Sequence, residues 1–143
     1  MAEGIFRREI AKAGLLDQVC IDSAGTHSYH IGKPPDARAQ SAISRRGVDI
    51  SGLRGRQVAD ADFDRFDYIL AMDKGNLGIL RSNAPPHTLE KIRLLLSFSS
   101  KYRDQEVPDP YYGGKQGFED NLDMIEDAVA GLIGEIKACL GPA

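Results

Sequence analysis

Asp109 opens the run Asp109-Pro110-Tyr111-Tyr112, which is bracketed by Val107-Pro108 and Gly113-Gly114. A carboxyl group on a loop, with a proline restricting the backbone and two aromatic rings beside it, suits proton transfer next to a flat substrate. A second polar stretch, Asp22-Ser23-Ala24-Gly25-Thr26, is followed closely by Tyr29. His27, His30 and His87 show no metal-ligand spacing with cysteines or carboxylates, and no metal site is expected. Arg54, Arg56 and Arg65 are a scattered basic set that reads as solvated surface. There are two cysteines. Cys20 sits inside an apolar run and reads as an inert core thiol, whereas Cys139 falls in the last helical turn as a structural or surface thiol.

The elements that must position these groups follow from hydrophobic spacing and breakers. Ile5, Phe6, Ile10 and Ala13 predict a helix over residues 2–13, stopped by Gly14. Val19-Cys20-Ile21 reads as a short buried strand running into a polar loop. Asp36 is a helix N-cap candidate, the helix running to Arg46 with Gly47 as its stop, and Val48-Asp49-Ile50 is a brief extended piece. Asp60 caps a short helix through Phe63 and Phe66. Tyr68-Ile69-Leu70-Ala71-Met72 is the strongest strand, and Asp73 then caps a helix to about Ser82, ended by Pro85-Pro86. Ile92-Arg93-Leu94-Leu95-Leu96 fits a strand or a short buried helix equally well. Residues 99–115 read as a long loop, and loops of that length are usually functional or disordered. The final helix, about Gly117 to Leu140, carries Phe118, Leu122, Ile125, Val129, Leu132 and Ile136 on one stripe. This alternation predicts an α/β fold with a small parallel sheet between two helical layers, in one domain over residues 1–143.

At 143 residues, 42% hydrophobic and 27% charged, the chain has material for one core and a charged surface. Its formal charge of −3 argues against non-specific binding of nucleic acid. No apolar run is long enough to span a membrane. The first eight residues do not read as a secretory leader, so the cytoplasm is the expected location.

Four blocks then agree in order and spacing: Ile21-Asp22-Ser23-Ala24-Gly25-Thr26; Gly32-x-Pro34-Pro35-Asp36-x-Arg38; Phe66-Asp67-Tyr68-Ile69-Leu70-Ala71-Met72-Asp73-x-x-Asn76-Leu77; and Val107-Pro108-Asp109-Pro110-Tyr111-Tyr112-Gly113-Gly114. Together they resemble the low-molecular-weight protein tyrosine phosphatases, the bacterial members most. The resemblance implies hydrolysis of phosphotyrosine through a cysteinyl-phosphate, without metal or cofactor. Asp109 is then the general acid, Tyr29, Tyr111 and Tyr112 are the walls of a slot for the phenyl ring, and Ser23 is the serine that supports the cysteine loop. It implies a phosphotyrosine protein as substrate, with a bacterial tyrosine kinase as one such partner.

The family's nucleophile sits in a loop of the form C-x5-R-S/T between its first strand and first helix. The thiolate needs backbone N–H groups and a helix N-terminus to hold its charge, and the arginine grips the phosphate oxygens. In this sequence the position six after Cys20 is Thr26, and only four residues follow Cys139. Neither fits, so the 143 residues begin just past the family's loop and are expected to be inactive as they stand. The family sheet has four parallel strands with the first in the middle. Without it, three outcomes are open: Val19–Ile21 and Tyr68–Met72 pair directly, copies associate as a homo-oligomer through strand edges, or the strand and loop belong to the native protein and Met1 is an internal methionine. A pseudo-phosphatase that binds a partner, or a fragment, is the non-enzymatic alternative. Arsenate reductase is the less favoured enzymatic one, since its electron relay needs cysteines in mid-chain and there is none between Cys20 and Cys139.

Overall fold

Helix-forming signals and their breakers largely set the architecture of the computed structural model, which describes residues 1–103, 105–109 and 114–140. Five α-helices occur among these residues: α1 (Ala2–Lys12), α2 (Ala37–Ser44), α3 (Asp60–Arg65), α4 (Lys74–Asn83) and α5 (Gly114–Leu140). The strands are β1 (Ile69–Ala71) and β2 (Ile92–Leu94), which pair in parallel with Ile69 opposite Ile92 and Ala71 opposite Leu94. Two caps form as expected: the Asp36 carboxylate accepts the Arg38 amide, and the Asp73 carboxylate accepts the Asn76 amide. Asp60 is instead the first residue of α3. Ala59 is the N-cap, and its amide is taken by the Asp62 carboxylate.

The sheet separates two cores, and β1 shows why. Ile69 and Ala71 pack with Phe63, Leu80 and Ile92 on the α3–α4 side. Leu70 and Met72 face the larger core of Ile5, Ile10, Ile43, Leu96, Leu122, Ile125 and Val129, under α1, α2 and α5. Alternate residues of a strand point to opposite faces, so an all-apolar strand serves both layers. The three-layer α/β/α arrangement follows. The Ile92–Leu96 segment uses both of its expected forms, with β2 passing into a 3₁₀ turn at Leu95–Phe98. Gly131 lets α5 lie directly on that turn, since a Cβ there would collide with the Phe98 carbonyl oxygen.

One strand differs from expectation. Val19–Ile21 is extended but pairs with nothing among the described residues, so the sheet has two strands, not three, and the direct closure onto β1 is not formed. Val19 and Ile21 still pack against the larger core, and alternation then turns Cys20 outward. Cys20 is therefore an exposed thiol, 3.5 Å from the Arg65 guanidinium, and not the core residue its neighbours suggest. Cys139 is exposed beside the Tyr68 hydroxyl at 3.7 Å. Among the described residues no helix is long and apolar enough to cross a membrane.

Candidate functional site

The turn from Met72 to Asn76, at the C-terminal end of β1, is where the two loops with candidate site residues meet. In open parallel sheets this end of the strands is where ligand crevices form. The Val107 amide donates to the Met72 carbonyl at 2.8 Å. The Glu106 carboxylate accepts the Lys74 amide at 2.6 Å, in the first turn of α4. Asp109, two residues beyond Val107, is exposed at this end. From the other side, the Thr26 hydroxyl donates to the Asn76 Oδ1 at 3.0 Å. Met72, Lys74 and Asn76 thus tie residues 106–109 and 23–26 to one strand end.

Asn121 of α5 fixes the 106–109 loop from below. It is buried, and its Nδ2 donates to the Pro108 carbonyl at 2.7 Å, immediately before Asp109. Its Oδ1 has no partner among the described residues. Ser23 donates its hydroxyl at 2.6 Å to Glu3, whose carboxylate is buried in the first turn of α1 and also accepts the Arg7 Nε at 2.9 Å. Arg7 donates on to the Ile21 carbonyl at 2.7 Å. Ser23 is thereby attached to the start of α1.

A cavity of about 350 Å³ opens between the 23–30 and 54–56 stretches and reaches Asn76. Ser23, Thr26, His27, Tyr29, His30, Arg54 and Arg56 line it. Parallel bridges Gly25–Gln57 and Ile31–Gly55 clasp its two sides together. The clasp is tight: at Gly55 a Cβ would strike the His30 carbonyl oxygen. Arg56 is anchored to Asp62 at 2.8 Å and Asp22 at 3.0 Å. The hydrogen bond to Asp62 heads the contacts that raise the Arg56 pKa above its ordinary value. Burial works against the charge of Asp62, but bonds from Arg56 and the Ala59 amide outweigh it and leave its pKa lowered.

Ser23 and Tyr29 therefore share one cavity, and Asp109 stands on the other loop tied to the same strand end. Tyr111 and Tyr112 lie outside the described residues. Glu3, Asn76 and Asn121 were not singled out from the sequence. Asn76 stood in one of the four blocks, and Asn121 lies next to the apolar stripe of α5, but nothing local marked their partners. Among the described residues no group of three His, Cys, Asp or Glu side chains is placed to hold a metal ion.

Set against known proteins, residues 1–140 match the family model for low molecular weight phosphotyrosine protein phosphatase. The Bacillus subtilis low molecular weight protein-tyrosine-phosphatase YfkJ is 41% identical over 137 residues, covering 96% of this chain and 86% of that protein. The Homo sapiens low molecular weight phosphotyrosine protein phosphatase is 40% identical over 121 residues, covering 83% and 75%. Among solved structures, the protein tyrosine phosphatase of Entamoeba histolytica with Hepes in its active site superposes with a TM-score of 0.90 at 38% identity, covering 94% of this chain and 86% of that one. The chain belongs to the low-molecular-weight phosphotyrosine protein phosphatase family.

Proposed function

We propose that this chain is the body of a phosphotyrosine phosphatase in which Asp109 is the general acid. In that reaction a thiolate attacks phosphorus, and the tyrosyl oxygen leaves with the proton that Asp109 supplies. Asp109 then takes a proton from the water that releases phosphate from the cysteinyl-phosphate. The observation that carries the reading is the Val107–Met72 bond, which holds the acid loop at the C-terminal end of β1, where the Ser23–Thr26 loop is also tied. Tyr29, with Tyr111 and Tyr112, fits the aromatic wall of a slot for a phenyl phosphate, and Ser23 fits the support of a phosphate-binding loop. No cofactor enters this chemistry. The substrates are phosphotyrosine proteins, a bacterial tyrosine kinase among them, met in the cytoplasm.

Neither Cys20 nor Cys139 begins a C-x5-R loop. The 143 residues alone should therefore give no p-nitrophenyl phosphate hydrolysis above background, and a rate abolished by Asp109→Asn overturns this. Joined in frame behind a segment carrying C-x5-R-S-P, the chain should turn over. Asp109→Asn should then lower kcat by about 10²- to 10⁴-fold on a poor leaving group. Turnover indifferent to Asp109 removes the acid assignment, and no turnover favours a binding protein that has lost catalysis. The unpaired extended stretch at Val19–Ile21 and the short sheet motivate association between copies through strand edges. Light scattering tests this, and a clean monomer rejects it.

A further inference from the structure

Arg54 differs from its neighbour Arg56, although both line the same cavity. Arg56 is neutralised by two carboxylates. Among the described residues, Arg54 has no carboxylate within salt-bridge distance. Its Nη1 donates to the carbonyls of Ser51 and Leu53, each at 2.7 Å. A guanidinium Nη1 carries two hydrogens, so these two bonds use that nitrogen fully. They also fix the plane of the group. The Nε–Nη2 edge is left uncommitted within the described chain, and that edge is the side-on fork that matches a carboxylate with two parallel bonds.

The surroundings favour an anion of a particular kind. Among the described residues no Asp or Glu lines the cavity, while His27 and His30 do, in a chain whose formal charge is −3. The His27 and Tyr29 rings lie 5.4 Å apart, forming an aromatic shelf in the same lining. The backbone beneath is set by the Ile31–Gly55 bridge, with the Gly32 amide on the Gly55 carbonyl and the Gly55 amide on the Lys33 carbonyl, both at 2.8 Å. A charged fork held by main-chain carbonyls on a clasped backbone loses little side-chain freedom on binding.

We infer that Arg54, with His27 and His30, forms a subsite for an acidic side chain, a glutamate or aspartate neighbouring the phosphotyrosine of a substrate protein. The inference rests on the phosphatase reading for the word substrate, but its test does not need phosphate chemistry. The probe is an unphosphorylated, blocked pentapeptide, Glu-Glu-Tyr-Glu-Glu, titrated into the ¹⁵N-labelled chain at low salt, with a Lys-Lys-Tyr-Lys-Lys peptide as the counterpart. The acidic peptide should shift amides of residues 24–32 and 54–57 and the basic one should not. Arg54→Gln should weaken that binding about three- to fivefold, the scale of an exposed ion pair. Arg54→Lys should recover only part of it, because an ammonium cannot form the fork. Raising salt should erase the shifts.

Equal shifts from both peptides, shifts confined to other surfaces, or an Arg54→Gln variant that binds as before would each overturn the subsite. Equal shifts from inorganic phosphate at matched concentration would also overturn it, by making the fork a general anion site. Failure here with normal turnover of the C-x5-R-S-P fusion removes the subsite and leaves the phosphatase reading standing. Success here with a fusion that never turns over does the reverse.

Discussion

Two clefts flank the Met72–Asn76 turn, and they are built on opposite principles. One is the 350 Å³ cavity of the 23–30 and 54–56 stretches, with Arg54, Arg56 and two histidines in its lining and, among the described residues, no carboxylate. The other, about 660 Å³, is lined among the described residues by Asp73, Gly75, Gln105, Glu106, Pro108 and Met124, with carboxylates and no cation. The first is held by main-chain bridges between loops, the second by side-chain bonds, the Glu106 carboxylate accepting the Lys74 amide and Asn121 of α5 donating to the Pro108 carbonyl. A phosphatase needs both characters close together: an attractive surface for an anionic substrate, and a carboxyl that yields a proton as the phenolate leaves.

The sharpest way to break the comparison is Gly55→Ala. The added methyl meets the His30 carbonyl, and overpacking against backbone should cost about 2–3 kcal/mol, read by chemical denaturation. The loss should come with disturbed amides on the basic side only. Asn121→Ala attacks the acidic side. It removes the donor to the Pro108 carbonyl and should cost about 1–2 kcal/mol. In the catalytic fusion it should lower kcat more than it changes KM, because the buried Asn121 holds the Pro108 carbonyl beside Asp109, the proposed acid. Smaller still is Asp73→Ala, worth about 1 kcal/mol as a lost helix cap. Asp73 sits on the shared turn, so amides of both clefts should move together, and a response confined to one of them would separate the loops.

The Arg56–Asp62 pair gives the smallest effect and a defined sign. The pKa of Asp62 is lowered in the fold, so the stability it contributes is present above the ordinary carboxylate value of about 3.9 and is lost as pH falls through the lower folded value. The wild-type advantage over Asp62→Asn should be constant from pH 5 to 7, no more than about 1 kcal/mol for a partly exposed pair, and should vanish in acid. An advantage that grows on acidification contradicts the assignment.

What was legible in the sequence was whatever a local signal decides. The Asp36 and Asp73 caps, the apolar stripe of α5 and the apolar run around β1 each carry their cause within a few residues. Asp109 stood out as a candidate because its neighbours form a block. Val19–Ile21 was misread because a strand is defined by a partner, and apolar β-branched residues announce an extended backbone without supplying the ladder. Cys20 followed from that error: in a run packed on one face only, the middle residue points away. Glu3, Asn76 and Asn121 escaped because their partners Ser23, Thr26 and Pro108 are brought to them by folding. The basic set of Arg54, Arg56 and Arg65 was read as one surface, yet the fold gives each a different fate. Arg56 is neutralised, Arg65 stacks over Phe66 at 5.0 Å, and Arg54 keeps an open edge at a cavity.

The 27-residue α5 sets where the molecule is most persistent. Each strand has three residues and one ladder neighbour, whereas α5 lies under α1, α2 and the Leu95–Phe98 turn and buries Leu122, Ile125, Ala128, Val129, Leu132 and Ile133. Amide protons leave by local openings whose free energy follows burial and packing. In deuterated water the slowest exchange should therefore belong to the middle of α5, and the two-stranded sheet should exchange through smaller openings. Persistence of the fold is then concentrated in a helix, and the strand ends that tie the candidate loops belong to a less protected part.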